Sequence, residues 1–215
     1  MKSLIKQSIN IALTFLSLLL LSCATTGQFQ RYTQGSVIDS GFCSITGPPG
    51  DGWFVSIQKD LSGTIDFQKR HVSQSTGLVD ESIGIRVFRN LVTDEKLRRL
   101  SEEEVADDFR RMEEVGMWKM GVMRGQYLLT DVKKDTTTIG EKKLYLMSYR
   151  TSGLSKGPTR QKWTNDSVLY LFFPADFEES HFFYCFLMSH LFIEGTLEKG
   201  DLTPVIPVIN SLKIK

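Results

Sequence analysis

The chain has 215 residues, with 26 Lys and Arg against 25 Asp and Glu, so its formal charge at pH 7 is +1. Proteins that bind nucleic acid usually carry a large excess of basic residues that neutralises phosphates, and here the excess is a single charge. We therefore expect no nucleic-acid partner. After the N-terminal segment, no apolar run is long enough to span a membrane.

The first 23 residues have the pattern of a secretory signal. Lys2 and Lys6 precede a mostly apolar run over residues 9–21. At about 13 residues this run is shorter than the roughly 20 that a transmembrane helix needs. It ends in Leu20-Leu21-Ser22-Cys23, which resembles the lipobox of bacterial lipoproteins. The alternative is a plain secretory signal that happens to end beside a cysteine.

The lipoprotein resemblance implies that residues 1–22 are removed as a signal peptide and that Cys23 is acylated. Each buried methylene contributes about 0.8 kcal/mol, so two or three acyl chains would hold the protein durably in the membrane of the cell envelope. Ala24 is not the aspartate that retains lipoproteins in the inner membrane of enteric bacteria. The expected location is therefore the outer membrane, facing the periplasm or the surface, if the source is Gram-negative.

Processing and composition divide the remaining chain into two parts. Removal of Lys2 and Lys6 leaves 24 basic residues against 25 acidic ones, and the roughly 190 mature residues suit one domain. Residues 23–39 are polar with few large aliphatics, which predicts a flexible tether with a reach on the order of 20–25 Å. The predicted domain covers residues 40–215.

The first half of the domain has strand patterns. A short strand is predicted at 41–45, before the turn-forming cluster at 47–52. Alternating apolar residues then predict strands that begin at Trp53, at Ile65 and at Ile83.

The pattern changes to a helical period after Ser101. Ser101 and Glu104 have the spacing of a capping box, and three consecutive glutamates suit the first turn of a helix. The predicted apolar stripe of this helix then follows at helical spacing: Val105, Phe109, Met112 and Val115 or Gly116, with Met120 and Met123 as an extension.

Four more strands are predicted, at about 126–137, 142–151, 167–173 and 181–193. The last two contain continuous apolar runs rather than alternating ones, which indicates strands that are covered on both faces. A terminal helix is predicted over residues 201–212, with Val205, Val208, Ile209 and Leu212 on its apolar side. The predicted fold is α+β: a mostly antiparallel sheet of about seven to eight strands, with the long helix and the C-terminal helix covering its faces.

Several of these features are similar to the PsbP-like and DcrB-like α/β/α sandwiches, which include many bacterial lipoproteins. They are Gly52-Trp53, the single long helix after a β-meander, the aromatic late strand at 182–186, and the terminal helix that ends in Ile209-Asn210-Ser211-Leu212. The resemblance covers residues 40–215. It implies a three-layer sandwich and a binding or assembly role, because members of this fold are often factors without known catalysis.

Cys43 and Cys185 are the cysteines that remain after lipidation. In an oxidising envelope compartment they could form one disulfide, provided that their strands place them as neighbours. The alternative is two buried free thiols that pack as small apolar groups.

The segment 151–166 is predicted as a loop of about sixteen residues, a length that is uncommon unless the loop is functional or disordered. Lys156, Arg160, Lys162 and Trp163 make it a candidate surface for binding headgroups, peptidoglycan or an envelope protein. A disordered connector is the alternative.

No metal site, catalytic pair or cofactor is expected. Two of the three histidines, His181 and His190, would point to opposite faces of one strand, and His71 stands alone in a polar segment. Four residues along a strand would separate His181 from Cys185 by about 13 Å, too far for a base to activate a thiol. The favoured function is a non-catalytic, lipid-anchored binding or assembly module. An envelope hydrolase or other enzyme, with a site built from residues distant in sequence, is the alternative.

Overall fold

The computed structural model describes residues 28–58, 62–74, 77–122, 125–155 and 160–215. Within them are eleven β-strands, three α-helices, a 3₁₀ turn at Leu97–Arg99 and a π-helical turn at Trp118–Val122. The strands are β1 (Gln30–Arg31), β2 (Val37–Asp39), β3 (Cys43–Thr46), β4 (Phe54–Ile57), β5 (Ile65–Val72), β6 (Val79–Leu91), β7 (Leu128–Ile139), β8 (Lys142–Leu154), β9 (Lys162–Phe172), β10 (Phe182–Ile193) and β11 (Lys213–Ile214). The helices are α1 (Glu102–Met117), α2 (Phe177–Ser180) and α3 (Val205–Ser211).

Eight of the strands form one antiparallel sheet in the order β1-β4-β5-β6-β10-β9-β8-β7. All eight predicted strands are present, and the predicted α+β fold with a mostly antiparallel sheet is confirmed at this level. The strand predicted at 41–45 lies elsewhere, however. It is β3, the centre of a separate three-stranded sheet with β2 and β11, and the eighth place in the large sheet belongs to β1.

The fold begins earlier than residue 40. The segment predicted as a tether contains β1 and β2, and Tyr32 between them is buried. The Tyr32 hydroxyl accepts from the Gly47 N–H at 2.9 Å, and its ring meets the edge of Phe67 with centroids 5.3 Å apart. These contacts and the pairing of β1 and β2 fix residues 30–39 to the domain, so the prediction of a tether is wrong for these residues.

The middle of the large sheet is buried on both faces, as the continuous apolar runs predict. Along β10, Tyr184, Phe186 and Met188 belong to one core cluster, and the alternate residues Phe183 and Cys185 belong to the other. The first cluster includes the apolar stripe of α3 and part of the small sheet, and the second includes residues of α1. Each face of β10 is therefore packed against a different helix.

Helix α1 starts where the sequence predicts. The Ser101 N–H donates to the Glu104 carboxylate at 2.9 Å, and the Glu104 N–H donates to the Ser101 hydroxyl at 3.4 Å, which completes the capping box. Its buried face differs from the predicted stripe. Val105 is buried as expected, but Val115 is 44% exposed.

The inward positions of α1 are instead occupied by Ala106, Arg110 and Met117. Arg110 can be buried there because its guanidinium donates to two backbone carbonyls, at 2.9 Å to Asp135 and 3.0 Å to Leu146.

The C-terminal helix is shorter than predicted. Helix α3 begins at Val205, and Asp201 forms a turn before it by accepting from the N–H and the hydroxyl of Thr203 at 2.9 and 2.7 Å. The predicted apolar stripe is correct, since all four of its residues are buried: Val205, Val208, Ile209 and Leu212.

Candidate functional site

The predicted anchor lies outside the described residues. Cys23 and the signal segment 1–22 precede Gln28, the first described residue. Acylation at Cys23 therefore stays a prediction from the sequence. None of the helices in the described ranges combines the length and the apolar character that a membrane span requires.

Cys43 and Cys185 are both free and buried, so the structure has the two separate thiols rather than the disulfide. Cys43 belongs to the core cluster on the α3 side of the large sheet, and Cys185 to the cluster on the α1 side. The sheet between them prevents bonding. Burial raises the pKa of both thiols, with the hydroxyl of Ser40 partly offsetting the effect at Cys43. Because the thiolate is the nucleophilic form, neither cysteine is activated.

The long basic loop predicted at 151–166 is a hairpin of two strands. β8 continues to Leu154 and β9 begins at Lys162, directly opposite, so the connection is only residues 155–161. The Ser155 N–H donates to the Gln161 carbonyl at 2.8 Å and closes the described part of the turn. The prediction of a sixteen-residue loop was wrong because these strands carry polar side chains, which hide the strand pattern.

The residues singled out in that loop do not form one surface. Trp163 is half-buried, and its ring packs beside Tyr127 with centroids 6.5 Å apart. Lys162 is exposed and pairs with Glu194 at 3.4 Å, on the other face of the strand from Trp163. Arg160 is exposed at the turn with a φ of 38°, and Lys156 lies outside the described residues.

The polar cluster with the most complete hydrogen bonding lies instead at the end of β10, on the α3 side of the sheet. His190 on β10, Asp166 on β9 and Arg150 on β8 are direct neighbours in register. Glu81 on β6 reaches the same place. The chain after β10 folds back over this row, so that Gly200 and Asp201 cover it. We call these four side chains the His190 cluster.

Both nitrogens of His190 have partners, which fixes its tautomer. The Asp201 N–H donates to Nδ1 at 2.7 Å, so Nδ1 carries a lone pair. Nε2 therefore carries the proton and donates to Glu81 Oε1 at 2.7 Å. The side chain of His190 is 3% exposed, so the imidazole is shielded from solvent.

Asp166 is held just as fully. Arg150 donates to its two oxygens, from Nε at 2.7 Å and from Nη2 at 2.9 Å, and the Gly200 N–H donates at 2.7 Å. Burial alone would raise the pKa of Asp166, but the hydrogen bonds from Arg150 and Gly200 outweigh it, and the pKa is lowered. The carboxylate therefore stays ionised and anchors both a neighbouring strand and a backbone amide.

An imidazole beside two carboxylates could perform general acid–base catalysis, but here both nitrogens of His190 and both oxygens of Asp166 are bound to structural partners. His190 and Asp166 accept from two successive backbone amides, Asp201 and Gly200, and so position the chain that enters α3. Gly200 is required at this point, because a Cβ there would lie 2.8 Å from the His190 Cβ. The arrangement is a clamp between the sheet and the α3 segment.

A second polar row crosses β4, β5 and β6 at Ser56, Asp66 and Arg86. Arg86 Nε donates to Asp66, and the remaining buried atoms Ser56 Oγ, Asp66 Oδ2 and Arg86 Nη1 have no hydrogen-bond partner. Burial raises the pKa of Asp66, partly offset by Arg86. This row has no exposed side chain to present to a ligand.

Glu113 on α1 is a third ionisable group with a shifted pKa, and its residue is partly buried. Burial raises its pKa to about 8. Electrostatic repulsion from Glu113 adds to burial in raising the pKa of Tyr149 and of Cys185, which both lie in the core cluster beneath α1. Within the described ranges, no group of three or more His, Cys, Asp or Glu side chains is arranged to hold a metal ion.

The His190 cluster has no signal in the sequence, because its four members are spread from residue 81 to residue 190. No local motif joins them, and only the strand register brings them together. Comparison with known proteins adds no family: no protein-family model matches the chain, and a search of curated proteins found no match.

Proposed function

We propose that this chain is a cell-envelope lipoprotein, anchored by acyl chains on Cys23, whose domain is a non-catalytic binding or assembly module. The observation that carries the proposal is Leu20-Leu21-Ser22-Cys23 at the end of a short apolar run preceded by two lysines. For a Gram-negative source the proposed location is the outer membrane, because Ala24 rather than aspartate follows the lipidated cysteine.

The side chains that could perform chemistry support a module rather than an enzyme. In the His190 cluster, the imidazole and the Asp166 carboxylate are bound to backbone amides. Cys43 and Cys185 are buried thiols with raised pKa values, the opposite of what a cysteine nucleophile needs. The hydrogen bonds to backbone amides and the burial of the thiols favour a structural role for each of these side chains.

The proposed fold class is the three-layer PsbP-like or DcrB-like sandwich. Its support is that the two faces of β10 pack against different helices, α1 and α3, in two separate core clusters. A sandwich of this kind leaves sheet edges and hairpins available to partners, which suits an assembly role.

The anchor is tested by expressing the whole chain in a bacterial host and identifying its N-terminal peptide by mass spectrometry. We expect cleavage before Cys23, a mass increase from acylation, accumulation of the precursor under globomycin, and recovery with membranes. Cys23→Ser should abolish all four results, and the matched control Cys43→Ser should change none. Unchanged processing under globomycin, or a soluble periplasmic protein, would refute the anchor.

The module is tested by cross-linking the membrane-bound protein in cells and identifying captured envelope components. Recovery of a defined envelope protein or of peptidoglycan fragments, retained in a Glu81→Gln variant, supports a binding role. Turnover of an envelope substrate that is lost in Glu81→Gln, while folding is intact, would establish the enzyme alternative.

A further inference from the structure

The distance between the proposed lipid anchor and the folded domain is short. β1 begins at Gln30, and the first described residue, Gln28, is five residues after Cys23. Five residues span at most about 18 Å even when fully extended. Gln28 must therefore stay within about 18 Å of the acylated cysteine, and the start of β1, seven residues after Cys23, within about 25 Å.

This edge exposes aromatic side chains. β1 is the outermost strand of the large sheet and pairs only with β4 in it. Phe29, just before β1, is 36% exposed, and Phe54 on β4 is 46% exposed. Arg31 pairs in register with Phe54, and residues two apart on a strand share a face. Phe29, Arg31 and Phe54 therefore face the same side of the sheet edge.

Basic side chains flank the two phenylalanines. Arg31 is exposed on β1. β4 pairs with β5 only as far as Gln68, and the next residues, Lys69 and Arg70, are exposed where β5 itself becomes the edge. Strand alternation places Arg70 on the face of Phe54 and Lys69 on the opposite face, so basic side chains lie on both sides of this edge. Aromatic rings with neighbouring Lys and Arg are the composition that the headgroup region of a bilayer favours, since rings enter the interface and cations meet lipid phosphates.

We propose that Phe29, Arg31, Phe54 and Lys69, here called the β1 edge surface, lie against the phospholipid headgroups of the membrane that holds the acyl chains. The inference rests on the proposed anchor. Two arguments select a lipid surface as the occupant. The tether keeps the start of β1 within about 25 Å of the acylated cysteine, which gives even a weak contact a high effective concentration, and the basic residues complement anionic lipid.

The contact would orient the domain. With β1 at the membrane, β7 is the far edge of the sheet, seven strand spacings away, or about 34 Å. The eight-stranded sheet would then stand up from the bilayer, with the two outermost strands β7 and β8 pointing away from it and available to a soluble partner.

The test uses the acylated full-length protein, purified from membranes and reconstituted into vesicles of phosphatidylethanolamine and phosphatidylglycerol. An environment-sensitive NBD label is attached at Phe54→Cys, and in a matched control at Leu128→Cys, which is 64% exposed at the start of β7. Cys43 and Cys185 are buried and should not label in the folded protein. We expect quenching by headgroup-region doxyl lipid to be at least about twofold stronger at position 54 than at position 128.

Two further variants test whether the short tether and the basic residues cause the quenching at position 54. Insertion of about twenty Gly and Ser residues after Gly27 should reduce the quenching at position 54 while leaving the protein on the vesicles, because it lengthens the allowed distance. Arg31→Glu combined with Lys69→Glu should reduce it on anionic vesicles. Phe29→Cys gives a second labelling site on the same surface, which guards against a folding defect in one variant.

The outcomes separate this inference from the anchor. If the reconstituted protein does not float with vesicles and its N-terminal peptide carries no acyl group, the proposed anchor fails and this inference fails with it. If the acylated protein floats with vesicles but labels at 29 and 54 are quenched no more than the label at 128, the β1 edge surface does not meet the membrane and only this inference is overturned.

Discussion

Asp166→Asn tests the clamp that holds the α3 segment to the sheet. The carboxylate accepts three hydrogen bonds, two from Arg150 and one from the Gly200 N–H. An asparagine has one carbonyl oxygen in its side chain, so it can still accept from Gly200, but its NH₂ group then faces the guanidinium. Removing one partner of a buried ion pair costs about 3–5 kcal/mol. Because the Arg150 side chain is 32% exposed and water can solvate it, we expect a loss of about 2–3 kcal/mol.

The loss should depend on pH in a defined direction. The pKa of Asp166 is lowered in the folded protein, while the unfolded chain has a pKa of about 3.9. Its stabilising contribution is therefore fully present above about pH 4 and disappears as the pH falls through the folded pKa. Urea unfolding of both proteins should give the full difference at pH 7 and a smaller difference at pH 3.

Asp51→Asn is the matched control, because Asp51 is exposed, and its unfolding free energy should change by less than about 0.5 kcal/mol. A cost for Asp166→Asn below about 0.5 kcal/mol at pH 7 would contradict the clamp. So would a cost that is the same at pH 3 and pH 7, since it would show that ionisation of Asp166 is irrelevant.

Three further changes probe separate parts of the fold by urea unfolding. Ser101→Ala removes the hydroxyl of the capping box and should cost about 1 kcal/mol, whereas no loss would show that the cap is not formed in solution. Gly200→Ala would place a Cβ 2.8 Å from the His190 Cβ and should cost about 1–3 kcal/mol; a neutral result would mean that the clamp is looser than described. Glu113 has a pKa raised to about 8, so the folded domain keeps a proton that the unfolded chain releases, and stability falls as the pH rises from about 4.5 to about 8. Glu113→Gln should remove that slope, stabilising the protein at pH 8.5 but hardly at pH 5, and equal effects at both values would contradict the raised pKa.

The parts of the fold that could be predicted from sequence are those determined by neighbouring residues. The capping box of α1 lies within four residues, from Ser101 to Glu104, and it gave the start of the helix correctly. The continuous apolar runs in β9 and β10 also predict burial from local sequence alone, because a strand that is apolar on both sides must be covered on both sides. Phe183 and Phe186, on opposite faces of β10, are both buried, and this prediction is confirmed.

The errors occur where polar residues occupy buried positions. Thr151 and Asn165 are buried partners on β8 and β9, yet their polarity suggested a loop. Arg110 is buried on the inward side of α1, and the predicted apolar stripe missed this position and included Val115, which is exposed. In each case the polar side chain can be buried because residues distant in sequence contact it, and the local sequence pattern does not show those contacts.

The His190 cluster could not be predicted from the sequence either, because it also depends on long-range contacts. Its geometry depends on the register of β6, β8, β9 and β10, and on a connection that returns over β10 before α3. Nothing in a single sequence indicates that Glu81 contacts His190, which is 109 positions away. The histidine could be recognised as poorly placed for a metal, but not as the centre of a clamp.

The strands that escaped prediction matter most for function. β1 and β11 have two residues each and β2 has three, too few to show any periodicity, and they exist because tertiary contacts hold them. Because the described part of the chain already begins at Gln28, four residues connect it to Cys23, rather than the sixteen or so of the predicted tether. A long tether would let the domain adopt any orientation. A span of at most about 18 Å between Cys23 and Gln28 instead keeps the edge that contains β1 near the bilayer. Under the proposed anchor, two residues of edge strand therefore determine which surfaces of the domain a partner in the envelope can reach.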